Sequence, residues 1–147
     1  MIYLDSSILV ARYLEEPSSG KAEEIWGRED EFVASALTVA ESLIVLRRSA
    51  LRSKSSASKK RLQTALASLD HDLLRVSISF DLNEPVALIR REPALAECRA
   101  SDAIHVATAL WLLTEGSTVD FASLDIRQRK VADDLGLPLL PVDYSPR

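Results

Sequence analysis

The sequence predicts an α/β fold, a three-layer α/β/α arrangement around a short parallel sheet of four to five strands. Three observations carry this. Short apolar runs alternate with longer segments of helical periodicity, the pattern of successive βα units. Only 4 Gly and 3 Phe argue against an all-β sandwich, and abundant Ala and Leu favour helices. The 147 residues, 47% of them apolar, fit one globular domain over residues 1–147 with its own core.

Residues 1–4 read as a buried strand. Ser6 or Ser7 then caps a helix to about Tyr13, ended before Pro17. Ser18 and Ser19 open a second helix, with Ala22, Ile25 and Trp26 on its apolar side. A second strand covers 31–34, and a long helix covers 35–51, with Leu37, Val39, Ala40, Leu43, Ile44 and Leu46 as its apolar positions. The polar segment SKSSASKK (53–60) is the turn of a helical hairpin. Its second arm, 59–69, sets Leu62, Ala65, Leu66 and Leu69 at helical spacing. A third strand at 73–78 leads to a helix from about 80 to 91, broken near Pro93. The most apolar helix is 102–114, followed by a strand at 119–122. A helix over 125–135 ends at Gly136 in the C′ position. The last strand, 137–142, carries Pro138 and so belongs at a sheet edge.

The single cysteine, Cys98, cannot form an internal disulfide, which places the chain by default in a reducing cytoplasm. No apolar run reaches the roughly 20 residues that span a bilayer, and the N-terminus lacks a basic leader. A net charge of −4 argues against nucleic-acid binding through bulk positive charge. Distribution matters more than the sum. Arg47, Arg48, Arg52, Lys54, Lys59, Lys60 and Arg61 occupy an acid-free stretch. This block reads either as a solvated hairpin or as a phosphate-contacting surface, and beside an acidic metal site the two readings weigh equally.

Four acids stand where strands hand over to helices: Asp5, Glu41, Asp102 and Asp125. In an open α/β sheet, ligands bind outside the carboxyl ends of the strands. Taken singly, each acid has an innocent explanation. Asp5, Asp102 and Asp125 suit helix caps or first turns, and Thr38 to Glu41 matches a capping box. Their apolar surroundings favour a constellation instead, because half-buried carboxylates are costly unless paired or metal-bound. If Ser35 is the true cap, Glu41 lies inside its helix and capping no longer explains it. Without a cation the cluster would repel itself, and some carboxyls would titrate high. Mg²⁺ or Mn²⁺ is the fitting partner, since both take oxygen ligands.

The chemistry this implies is metal-dependent phosphodiester cleavage. One ion held by Asp5 and Asp102, with Asp125, would activate water, and a second near Glu41 would stabilise the leaving oxygen. Ser7 and Ser123 either orient carboxylates and waters or simply cap helices. Other chemistries lack support. No Gly-rich phosphate loop is present, and one Cys with two His makes no zinc site. His105 reads as a packed core residue, His71 as a loop residue and Cys98 as structural.

The segments YLDSSILV, SALTVAES, ASDAIHVATAL and SLDIRQRKVADDLGLPLLPV together resemble a PIN domain, specifically the VapC-type toxins of bacterial toxin–antitoxin pairs. The resemblance spans nearly the whole chain. It implies a PIN-like sheet between helices and an Mg²⁺- or Mn²⁺-dependent endoribonuclease, with Asp5, Glu41, Asp102 and Asp125 as its acids. It also implies a homodimer and a small VapB-like antitoxin that covers the acids, docked partly on the hairpin 36–70. DNA would be reached only through that antitoxin. Ser123 stands where Thr is common, and Asp120 competes with Asp125 for the fourth position; Asp125 is preferred because it follows a hydroxyl residue and starts a helix. Arg47, Arg48, Arg52, Lys59, Lys60 and Arg61 would meet a structured RNA such as tRNA or rRNA. Two other functions stay open. One is a housekeeping PIN-type RNA-processing nuclease; the other is a non-catalytic module acting through its partner. A receiver domain would need an acceptor Asp after the third strand, and LLRVSI ends without one.

Overall fold

A computed structural model describes residues 1–14, 16–52 and 55–144. Strands β1 (Ile2–Leu4), β2 (Phe32–Ser35), β3 (Val76–Ser79), β4 (Asp120–Ala122) and β5 (Leu139–Leu140) form one parallel sheet in the order β3-β2-β1-β4-β5. The helices are α1 (Ser6–Tyr13), α2 (Ser19–Trp26), α3 (Ala36–Arg52), α4 (Ser56–Asp72), α5 (Asn83–Arg91), α6 (Ala100–Thr114) and α7 (Ile126–Asp134).

The period-two alternation of the strands builds two cores. Ile2, Leu4, Phe32, Ala34 and Ala122 face one side, where Ile8, Leu9, Ile25, Trp26, Leu46 and Leu69 from α1 to α4 cover them. Tyr3, Val33 and Phe121 face the other, against Val106, Ala107 and Val131 of α6 and α7. The result is a parallel sheet buried on both faces, as βαβ crossovers require. The chain steps from β1 outward to β2 and β3, then crosses back to place β4 on the other side of β1. The strand order therefore reverses between β1 and β4, and the crevice at their carboxyl ends is the favoured ligand position.

Several boundaries differ from the sequence reading. Asp5, not Ser6 or Ser7, caps α1, since its carboxylate accepts the Ser7 amide at 3.2 Å. Ser35 accepts the Thr38 amide at 3.2 Å as a cap does, so α3 begins before Thr38 and the capping box from Thr38 to Glu41 does not exist. The buried stripe of α3 is Thr38, Ser42 and Leu46 rather than a purely apolar one. The two hydroxyls are tolerated there because each donates to a carbonyl, Leu4 O at 3.1 Å and Thr38 O at 2.8 Å. Ile44 and Val45 are left 47% and 37% exposed.

Helix α4 runs on to Asp72, which accepts from Arg12 and from the Tyr13 hydroxyl, and so carries His71 inside its last turn instead of a loop. The chain then tightens into a 3₁₀ turn, Leu73–Arg75, and β3 starts only at Val76. The hairpin turn narrows because α4 already begins at Ser56; residues 53–54, and with them Lys54, lie outside the described residues. Helix α5 starts at Asn83, whose amide bonds to Asp81 at 2.8 Å, and leaves Phe80 outside it. Gly136 follows α7 with φ +79, and the amides of Gly136 and Leu137 return to Asp133 and Ala132, closing a Schellman turn. The edge strand β5 tolerates Pro138, whose carbonyl still accepts the Phe121 amide at 2.7 Å.

Candidate metal centre

Asp5 leaves the carboxyl end of β1 and is 1% exposed, held by helix-cap and side-chain donors. Its Oδ2 accepts from the Ser7 hydroxyl at 2.6 Å, the Ser7 amide at 3.2 Å and the Ser123 hydroxyl at 3.1 Å. Ser7 in turn accepts the Leu124 amide at 2.9 Å, which stitches the β1–α1 turn to the β4–α7 turn. Glu41 approaches from the second turn of α3. Its Oε2 accepts from the Ser6 hydroxyl at 2.8 Å and lies 3.0 Å from His105 Nε2. That nitrogen is also 3.6 Å from Asp5 Oδ1. The His105 ring is fully buried, with Tyr3 Oη 3.0 Å from its Nδ1. Burial pushes the Tyr3 hydroxyl up to about 12, so it keeps its proton.

Glu41 sits below its ordinary pKa. The His105 hydrogen bond is the main cause, assisted by Ser6 and Ser101 and opposed by burial. This is the reverse of the upward shift expected from repulsion among the acids.

Asp102 and Asp125 form the outer half of the group. Helix α6 starts at Ala100, so Asp102 is inside its first turn and is not the cap. Its Oδ1 accepts from Ser101 at 3.3 Å and from the side-chain amide of Gln128 at 3.1 Å. Asp125 does cap α7, with Oδ1 accepting the amides of Arg127 and Gln128 at 2.8 and 3.0 Å. Gln128 closes no capping box; it spans instead from Asp102 to the Ser123 hydroxyl, 3.4 Å from its Oε1. Ser123 also accepts the Asp125 amide at 3.0 Å. Asp120 opens β4 at the opposite end of the sheet, where its charge acts on Arg28, and so does not compete with Asp125.

Each Asp is clamped through one oxygen. Among the described residues, Asp102 Oδ2 and Asp125 Oδ2 accept no hydrogen bond, and Asp5 Oδ1 has only the Ser6 hydroxyl at 3.5 Å and His105 at 3.6 Å. On Glu41, Ser6 and His105 both fall on Oε2. Hard carboxylate oxygens left with few donors in this way suit Mg²⁺ or Mn²⁺. Ligand atoms of Asp5, Glu41 and His105 lie within 4.8 Å of one another. Asp102 and Asp125 line an adjoining depression of about 310 Å³ rimmed by the exposed Arg99 and Arg127. Asp125 also borders a second depression, about 380 Å³, with Ser6 and Ser7. The structure thus brings Asp5 and Glu41 together directly and ties Asp102 and Asp125 to them through Ser123, Gln128 and Ser101.

Sequence reasoning missed Tyr3, Ser6, His105 and Gln128. The three-residue spacing from Asp102 to His105, one helical turn, was the available signal for the histidine. Cys98 lies near the outer acids: burial raises its thiol pKa first, and the Asp102 and Asp125 charges raise it further.

The larger groove, about 880 Å³, is elsewhere, between α1 and the α3–α4 hairpin. Its floor includes Leu46, Leu62 and Ala65, and Lys60 and Arg61 stand on its wall. Arg47, Arg48, Arg52, Lys59, Lys60 and Arg61 are all exposed, and among the described residues none forms an ion pair. Seven and eleven residues after Glu41, Arg48 and Arg52 share its face of α3, with Ile44 and Val45 between.

The PIN domain family matches residues 2–134, and the chain belongs to that family. Two solved structures are similar in fold. One is VapBC-1 from nontypeable Haemophilus influenzae, 18% identical, with a TM-score of 0.59 over 95% of this chain and 96% of that one. The other is Mycobacterium tuberculosis VapC20, described as a sarcin-ricin loop cleaving toxin, 16% identical, with a TM-score of 0.59 over 99% of this chain and 100% of that one. No curated protein matches. Among the described residues no helix is long and apolar enough to cross a membrane.

Proposed function

We propose that this chain is a divalent-metal-dependent endoribonuclease acting as the toxin of a VapC-type toxin–antitoxin pair. The observation that carries the reading is the approach of Asp5 to Glu41 at the end of β1, linked through Ser123 and Gln128 to Asp102 and Asp125. Membership of the PIN family and the likeness in fold to a VapBC complex and to an RNA-cleaving VapC support it.

Asp5, Asp102, Asp125 and Glu41 would hold Mg²⁺ or Mn²⁺. When bound, such an ion supplies Lewis acidity toward water and phosphoryl oxygen. The protein's own part is positional. Ser7, Ser123 and Gln128 fix the aspartates, while Ser6 and His105 fix Glu41. The α3 face from Glu41 to Arg48 and Arg52, and the rim residues Arg99 and Arg127, would carry the phosphates of a structured RNA such as tRNA or rRNA. The groove beside the hairpin, with an apolar floor and a cationic wall, fits an amphipathic, acid-flanked segment of a VapB-like antitoxin. A homodimer and a cytoplasmic location complete the reading.

The test is cleavage of total RNA by purified protein with Mg²⁺ or Mn²⁺ against EDTA, beside Asp5→Asn and Asp102→Asn. Discrete, metal-dependent fragments that vanish in both variants support the nuclease. Equal cutting by folded variants sinks it.

A further inference from the structure

We propose that His105 is a positioning residue rather than a metal ligand: Tyr3 fixes it with the proton on Nε2, and that N–H orients Glu41, leaving the metal to carboxylate oxygen alone. The last clause rests on the metal-dependent reading above.

The cluster of Asp5, Glu41 and His105 is compact enough for an ion to touch all three. The hydrogen-bond partners decide otherwise. His105 Nε2 faces Glu41 Oε2 at 3.0 Å and Asp5 Oδ1 at 3.6 Å. Ionised carboxylates only accept, so a bare nitrogen lone pair there would be repelled by both. The proton therefore sits on Nε2. In the neutral ring Nδ1 is then an acceptor, and the partner 3.0 Å away is the Tyr3 hydroxyl, a group able to donate. Thr38 Oγ1, 3.4 Å from Nδ1, is already committed to Leu4 O at 3.1 Å. The ring is buried and inclined against Tyr3, with centroids 6.1 Å apart. For Nε2 to bind a metal, it would have to lose its proton and Glu41 would lose its N–H donor. The relay from Tyr3 through His105 to Glu41 instead resembles the outer-shell partners that orient ligating carboxylates elsewhere.

The first test is nitrogen-15 NMR of histidine-labelled full-length protein, without metal and with saturating Mg²⁺. A protonated Nε2 and unprotonated Nδ1 in both states support the proposal. A bare Nε2 in the metal-free protein overturns it, and so does loss of the Nε2 proton on adding Mg²⁺. If Mg²⁺ shifts no amide near Asp5, the metal reading and the metal clause fail together, while the metal-free spectrum still decides the Tyr3–His105–Glu41 relay.

The second test is Mn²⁺ affinity measured by EPR. His105→Leu should weaken binding about 10- to 100-fold, the usual loss for an outer-shell partner. His105→Gln keeps an N–H donor and should bind within a few-fold of wild type. Binding by a folded His105→Gln as weak as by His105→Leu would overturn the positioning role. If His105→Leu does not fold, the wild-type spectra and His105→Gln still decide.

Discussion

The inner acids, Asp5 and Glu41, and the outer acids, Asp102 and Asp125, are built in different ways. Asp5 and Glu41 are gripped by side chains from α1, α6 and the turn after β4, and the buried histidine among them is itself held by Tyr3 of β1. Asp102 and Asp125 are gripped mainly by the first turn of one helix, through the amides of Arg127 and Gln128 and the Gln128 side chain. The inner pair is thus fixed by the packing of the whole domain. In the outer pair, Asp125 is fixed by local helix chemistry that would exist with or without a ligand, and Asp102 by a single reach from Gln128 across the α6–α7 packing. A carboxylate that caps a helix through one oxygen can still offer the other, so capping and metal binding are compatible roles for Asp125.

The contrast is broken most severely at the inner pair. Asp5→Asn keeps the shape and the capping ability of the residue but removes its charge. RNA cleavage in Mn²⁺ should fall roughly a thousandfold, on the order of 4 kcal/mol of lost transition-state stabilisation. A Tm close to wild type would show that the loss is chemical and not structural. At the outer pair, Gln128→Leu releases Asp102 without touching the backbone cap on Asp125. Mn²⁺ affinity should drop about 10-fold or more, read by titration calorimetry.

Asp125 separates the two roles. Asp125→Ala should cost about 1 kcal/mol in urea unfolding, whereas Asp125→Asn, a good cap, should cost only a few tenths. Both should cut RNA poorly; full activity in Asp125→Asn would reduce the residue to a cap. The smallest effect concerns pH. Glu41 has a lowered folded pKa, so its contribution to stability is present above its ordinary 4.5 and is lost as pH falls through the lowered value. His105→Leu, which removes the leading cause of the shift, should shrink that acid-side loss of stability in pH-dependent melts.

The layers of the fold were legible in the sequence because period-two strands and apolar helices leave their pattern in any local window. Asp125 as a cap and Gly136 as a C′ residue were legible for the same reason, since both act within one turn of chain. Glu41 was ambiguous because Thr38 stands three residues before it, and only the Ser35 cap and the Thr38 bond to Leu4 O remove the capping box. His105 is the packed core residue the sequence suggested, but its polar partners, Tyr3 and Glu41, lie 102 and 64 positions away and leave no mark on its apolar helix. Gln128 left no mark in the sequence, because its reach across to Asp102 depends on how α6 meets α7. The third strand started late because the apolar pair Leu73 and Leu74 imitates a strand while the end of α4 is tied to Arg12 and Tyr13.

The most direct test of the four-acid centre is anomalous diffraction from crystals soaked in Mn²⁺. The account predicts a peak about 2.1 Å from Asp5 Oδ1, the oxygen that lies outside the helix cap, shared with at least one of Asp102, Asp125 or Glu41 and not touching His105 Nε2. No peak at the β1/β4 crevice, or a peak coordinated by His105, would contradict it.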